Sequence, residues 1–80
     1  MDRAQILTKL NGVFRDIFDD DSIELTEATT AEDIEDWDSF NHINILAATE
    51  QTFRIKFQTA EVEGLRNVGE LVSIIAKKAA

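Results

Sequence analysis

The sequence predicts an all-α domain with three main helices, one short helical turn and a long first loop. Three observations carry this. Three stretches repeat apolar residues at spacings of three and four, the period of one helical face. The 80 residues hold no proline and only three glycines, so few helix breakers interrupt those stretches. The one alternating stretch, Phe53-Arg54-Ile55-Lys56-Phe57, has no evident partner strand and reads as an extended connector.

In the first helix the face is Ile6, Leu10, Val13, Phe14, Ile17 and Phe18. Asp2 is placed to cap it, with Gln5 where a capping box wants Glu or Gln. Gly12 lies inside this helix at a cost of about 1 kcal/mol against alanine, a cost that the close approach of a neighbouring element would explain. The second helix runs from about Ser39 to Phe53. Its apolar residues Phe40, Ile43, Ile45, Leu46, Ala47 and Phe53 make more than one stripe, so part of its surface faces something besides its own core. Thr59 to Glu63 reads as one short helical turn closed by Gly64. The last helix begins near Asn67, its cap, with Glu70 three residues on and Val68, Leu71, Val72 and Ile75 as the buried face. Lys77 and Lys78 complement the negative end of that helix.

Residues 19–38 form a loop long for so small a domain, and such loops are usually either functional or a misassigned element. Ile23, Leu25 and Ile34 are spaced to tuck onto the helices while the acids stay in water, and Thr30 to Asp33 reads as a brief turn. The loop fails as a calcium site. From Asp19, the sixth and twelfth positions are Glu24 and Thr30; from Asp20 they are Leu25 and Ala31. Neither register has the glycine and glutamate that the EF-hand needs.

Length and composition bound the function. The expectation is one domain, 1–80, that buries about 60% of its unfolded surface. It is too small for a second lobe around a deep catalytic pocket. With 44% hydrophobic residues it has material for one core. Without cysteine it has neither a disulfide nor a thiolate metal site, and one histidine does not make a metal centre. Sixteen acids against eight bases give −8, a surface that repels nucleic acid and anionic membranes and suits basic protein partners. No leader pattern or membrane-spanning run is visible, so the expectation is a soluble, cytoplasmic monomer.

Ser39 and His42, three apart with Asp38 adjacent, assemble part of a nucleophilic site. A working pair also needs an oxyanion hole, an orienting group and an enclosed pocket, so no catalysis is expected. A histidine in a first helical turn is expected to face solvent. Ser39 as a plain helix cap is the simplest local reading. Its setting is more specific than that.

The segment "DWDSFNHINILAATEQTFRIKF" resembles the attachment segment of acyl carrier proteins and of related polyketide and peptide synthase carrier domains. There, Asp-Ser precedes Leu or a similar residue, then an amphipathic helix ending Glu-x-x-Phe, matched by Glu50 and Phe53, and an apolar connector. The resemblance spans essentially the whole chain, through "NVGELVSII" at its end. It implies a four-helix bundle with one minor helix and a protein without catalysis of its own. It implies phosphopantetheine from coenzyme A, attached to Ser39 by a magnesium-dependent phosphopantetheinyl transferase, with Asp38 as the motif acid. The cofactor's thiol then carries an acyl group as a thioester to acyl-loading and acyl-using enzymes with basic docking surfaces. Phe40, Ile43 and Glu50 are the expected partner contacts, with Phe40, Ile43 and Ala47 also placed to shelter an acyl chain. Phe40 stands where the family usually has Leu. Asn41, His42 and Asn44 occupy positions that fatty-acid carriers make acidic, which favours a specialised polyketide or other secondary-metabolite pathway, as does Trp37. The competing reading is an acidic helical adaptor for a basic partner, with Ser39 only a cap.

Overall fold

The computed structural model describes residues 2–79, which form helices α1 (Arg3–Phe18), α2 (Ser39–Phe53), α3 (Thr59–Val62) and α4 (Val68–Lys78). No strand occurs among the described residues. α1 packs against both α2 and α4. The core gathers Ile6, Leu10 and Phe14 of α1, Ile45 and Phe53 of α2, and Val68, Leu71, Val72 and Ile75 of α4.

Local signals set the helix ends. The Asp2 carboxylate accepts from Gln5 N at 2.8 Å while Asp2 N donates to Gln5 Oε1 at 3.0 Å, a complete capping box. Asn67 Oδ1 accepts from Glu70 N at 2.9 Å, and Glu70 Oε1 from Arg66 N at 2.5 Å. α1 and α2 end on left-handed residues that are not glycine, Asp19 (φ 50) and Arg54 (φ 57). The residue after each reaches back five positions, Asp20 N to Arg15 O and Ile55 N to Glu50 O, and so occupies the last carbonyls.

Two glycine expectations need correction. A side chain built at Gly12 would meet nothing within 4 Å, so no neighbour approaches there. Gly64 is not a left-handed cap, because no glycine has positive φ. α3 ends at Glu63 in right-handed geometry (φ −63) and the chain turns through Leu65 N to Val62 O, 3.5 Å. The closely approached glycine is Gly69 in α4, where an added Cβ would lie 2.8 Å from the Glu27 carbonyl oxygen.

Residues 19–38 are fixed by polar clamps. Arg15 Nε donates to Ile23 O at 2.7 Å and Leu25 N to Asn11 Oδ1 at 2.7 Å, so Leu25 enters the core and Ile23 and Ile34 rest against it. The loop returns the support. Val68 N donates to Thr29 O and Gly69 N to Glu27 O, each at 2.8 Å, giving two orphan amides of α4 their acceptors. Arg3 locks this arrangement. Its guanidinium forks onto the Glu27 carboxylate, donates to Ser73 Oγ at 3.0 Å and reaches Gly69 O at 3.2 Å. Hydrogen bonding to Arg3 holds the Glu27 carboxyl below its ordinary range and raises Arg3 in turn. At the other end of α4, Lys78 pairs with Glu61 of α3 at 2.8 Å and lowers that carboxyl too.

Candidate functional site

Ser39 is the first residue of α2, and its side chain is exposed. The capping role belongs to Asp38, whose Oδ1 accepts from Asn41 N at 2.8 Å. The expectation that Ser39 is only a cap is therefore replaced by a division of labour. Asp38 closes the helix end, and the Ser39 hydroxyl has no hydrogen-bond partner among the described residues. Ser39 and Phe40 contribute backbone N–H groups at the positive end of the helix, where an anionic group is favoured. Asn41 Nδ2 donates to Asp36 O at 2.8 Å and ties the approaching loop to the first turn.

His42 does not face Ser39 as a base would, nor is it simply solvated. It is half-buried, and its Nδ1 accepts from the Trp37 indole N–H at 3.1 Å with the rings stacked at 6.0 Å. Trp37 also meets Phe14 edge-on at 5.0 Å. The aromatic chain from α1 to α2 thus fixes the residues just before Ser39. Trp37 and His42 stand five apart in the chain, but no sequence pattern announced the pair.

Beside Ser39 lies an open groove of about 540 Å³ between the loop, α2 and the α3–α4 segment. Trp37, Ile43, Val62, Leu65 and Leu71 give it apolar walls, and Asp38, His42, Glu63, Arg66 and Asn67 a polar edge. Its volume falls within the range that accommodates drug-sized organic ligands. Sequence reasoning named Ile43 and missed the wall across the groove, which Val62, Leu65 and Leu71 build from beyond the connector.

Of the expected contact residues, Phe40 and Ile43 are 72% and 66% exposed, the large apolar side chains that α2 turns outward. The second stripe read from the sequence is therefore a surface feature. Ile43 lines the groove; Phe40 and Ala47 do not. Glu50 is put to internal use as well: half-buried, it accepts from Phe57 N at 2.8 Å and holds the connector after α2. Thr49, fully buried, went unread because it is polar; its hydroxyl donates to Ile45 O at 2.6 Å. No group of three or more histidine, aspartate or glutamate residues is arranged for a metal among the described residues. No helix among them is long and apolar enough to cross a membrane.

Neither the family models nor the curated proteins compared with this chain give a match. A solved structure does: the solution NMR structure of a holo acyl carrier protein from Geobacter metallireducens, with a TM-score of 0.84 and 46% sequence identity. The match covers 90% of this chain and 83% of that one.

Proposed function

The chain belongs to the acyl carrier protein family, and on that footing we propose that Ser39 is the residue esterified with phosphopantetheine. The observation that carries this is the Ser39 hydroxyl itself: exposed, unpartnered, at the first position of α2 and on the rim of an apolar groove. Bound there, the group supplies a terminal thiol that holds an acyl chain as a thioester.

The chain's own residues supply position and shelter. Asp38 occupies the Asn41 amide and leaves the Ser39 and Phe40 amides to a phosphodiester oxygen. The Trp37–His42 hydrogen bond and the Asn41–Asp36 contact keep the preceding loop folded back, so a modifying enzyme meets Ser39 without obstruction. Ile43, Val62, Leu65 and Leu71 offer apolar surface along which a short acyl chain excludes water. Phe40, projecting away from the groove, is a contact for partner enzymes, with the net negative surface steering basic docking faces towards it.

A specialised pathway, polyketide or another secondary-metabolite route, is the reading we favour. Asn41, His42 and Asn44 stand in for acids after the serine, and all three side chains join local hydrogen bonds.

Intact-mass measurement tests the assignment. With coenzyme A, magnesium and a broad-specificity phosphopantetheinyl transferase, the protein gains one phosphopantetheine and Ser39→Ala gains none. Because Asp38 holds the cap, Ser39→Ala keeps the melting temperature close to that of the parent. A modified Ser39→Ala protein would move the attachment elsewhere.

A further inference from the structure

The chain's few cations are not spread evenly. Lys9, Phe53, Arg54 and Lys78 line one hollow where the C-terminal ends of α2 and α4 meet the flank of α1. Arg54 and Lys56 line the adjoining hollow, and Lys77 lies in the same last turn of α4 as Lys78. Lys78 is paired with Glu61. Lys9, Arg54, Lys56 and Lys77, half of the chain's eight bases, are exposed and form no ion pair among the described residues. That is odd in a protein with sixteen acids. Glu50 borders this region, yet its carboxylate accepts from the Phe57 amide.

Helix dipoles account for some cations at helix C-termini, but not for the geometry of Arg54. It adopts φ 57, ψ 48, a left-handed conformation that costs a non-glycine residue about 1 kcal/mol or more. Glycine would close α2 equally well without that cost. The strained position instead carries a long cation with no hydrogen-bond or ion-pair partner among the described residues. Asp19 closes α1 in the same conformation, so what sets Arg54 apart is the long cation it leaves without a partner beside three others. Next to it, the Phe53 ring, with Lys9 Nζ 5.7 Å from its centroid, and half-buried Ile55 add apolar wall.

We propose that this basic end is a docking surface for an acidic, amphipathic segment of a partner protein. Its anions pair with Arg54, Lys56, Lys9 and Lys77, and an apolar side chain enters the hollow by Phe53. A short protein segment fits better than a membrane or nucleic acid. An extended polyanion is opposed by the whole molecule's charge of −8, whereas a short segment meets only nearby cations within a Debye length of about 8–10 Å. α2 places this surface about 22 Å from Ser39, at 1.5 Å of rise per residue over its 15 residues. The protein is thereby held at one end while the Ser39 end stays free for another enzyme.

The test is an amide NMR titration of the full chain with a short glutamate- and leucine-rich peptide. A lysine- and leucine-rich peptide, phosphatidylserine-containing vesicles and a single-stranded oligonucleotide run alongside. The acidic peptide should shift Lys9, the Thr52 to Lys56 segment and Lys77, leave Ser39 and Phe40 unmoved, and lose its effect in molar salt. Arg54→Gly and Lys56→Gln should each weaken binding about twofold to fivefold, the range of an exposed ion pair, and together weaken it further. Arg54→Gly relieves backbone strain, so its loss of affinity is not a loss of fold. Unchanged binding by both variants, shifts centred on Phe40 and Ile43, or binding of vesicles or oligonucleotide in place of the peptide would overturn the proposal. So would the same shifts appearing on concentrating the protein alone, which would assign the surface to a second copy. None of these readouts needs Ser39 to be modified, so failure of the attachment assignment leaves the docking result standing.

Discussion

Two glycines inside helices should respond to alanine with opposite signs. Helix propensity alone gives each Gly→Ala a gain of about 1 kcal/mol. At Gly12 nothing opposes it, since a Cβ there meets no atom within 4 Å. At Gly69 the Cβ would lie 2.8 Å from Glu27 O, 3.1 Å from Glu27 Cβ and 3.2 Å from Asn67 Oδ1. The first of these is backbone, and it also accepts the Gly69 amide at 2.8 Å. Moving it lengthens that bond and disturbs Glu27, which Arg3 grips while also reaching Gly69 O at 3.2 Å. A lost hydrogen bond costs about 0.5–1.5 kcal/mol, and leaving a buried donor unmade about 1–3 kcal/mol. Set against the propensity gain, Gly69→Ala should destabilise by about 1–2 kcal/mol. For a domain of this size 1 kcal/mol corresponds to roughly 4–8 °C. Thermal unfolding followed by circular dichroism should therefore show Gly12→Ala raising the melting temperature by several degrees and Gly69→Ala lowering it by several or more. Stabilisation by both substitutions would refute the claim that the loop presses on α4.

Acid should act on the Arg3–Glu27 contact with a definite sign. The folded Glu27 carboxyl is held low, so its contribution is full above the ordinary value of 4.5 and is lost as pH falls below it. The stability difference between the parent and Glu27→Gln should accordingly shrink on acidification, as read by denaturant titrations across that window. Glu50→Ala should destabilise by about 1–2 kcal/mol by freeing the Phe57 amide, and exchange of that amide with solvent should accelerate; an unchanged exchange rate would show the connector to be held by its apolar contacts instead. Added sodium chloride should raise the melting temperature by screening the charge of −8, since the Debye length falls from about 10 Å to about 3 Å between 0.1 M and 1 M. Divalent cations should add to this weakly and with little preference for calcium over magnesium, which isothermal titration would check.

What was legible in the sequence was local. Asp2 with Gln5 and Asn67 with Glu70 mark helix starts through hydrogen bonds three residues long, and the structure makes both, whereas at α2 the cap falls on Asp38, one residue before the Ser39 that the sequence suggests. Apolar spacing placed Ile6, Leu10, Phe14, Leu71 and Ile75 in the core for the same reason. Contacts between distant segments left no such trace. Nothing near Arg3 announces that it joins Glu27 and Ser73, and nothing near Gly69 reveals a loop carbonyl forty-two positions earlier. Glu50 has a second use that its place on an amphipathic helix did not show, since it turns back to hold the chain that follows it. Net charge is informative in a different way. A single total of −8 describes repulsion summed over the molecule, but recognition depends on where the charge lies. Helices of known length and direction are needed to see that Asp36 and Asp38 crowd the Ser39 end of α2 while Arg54 and Lys56 follow its other end. On the proposals above, that separation along one helix would let a strongly acidic carrier meet basic and acidic partners at once, each at its own end.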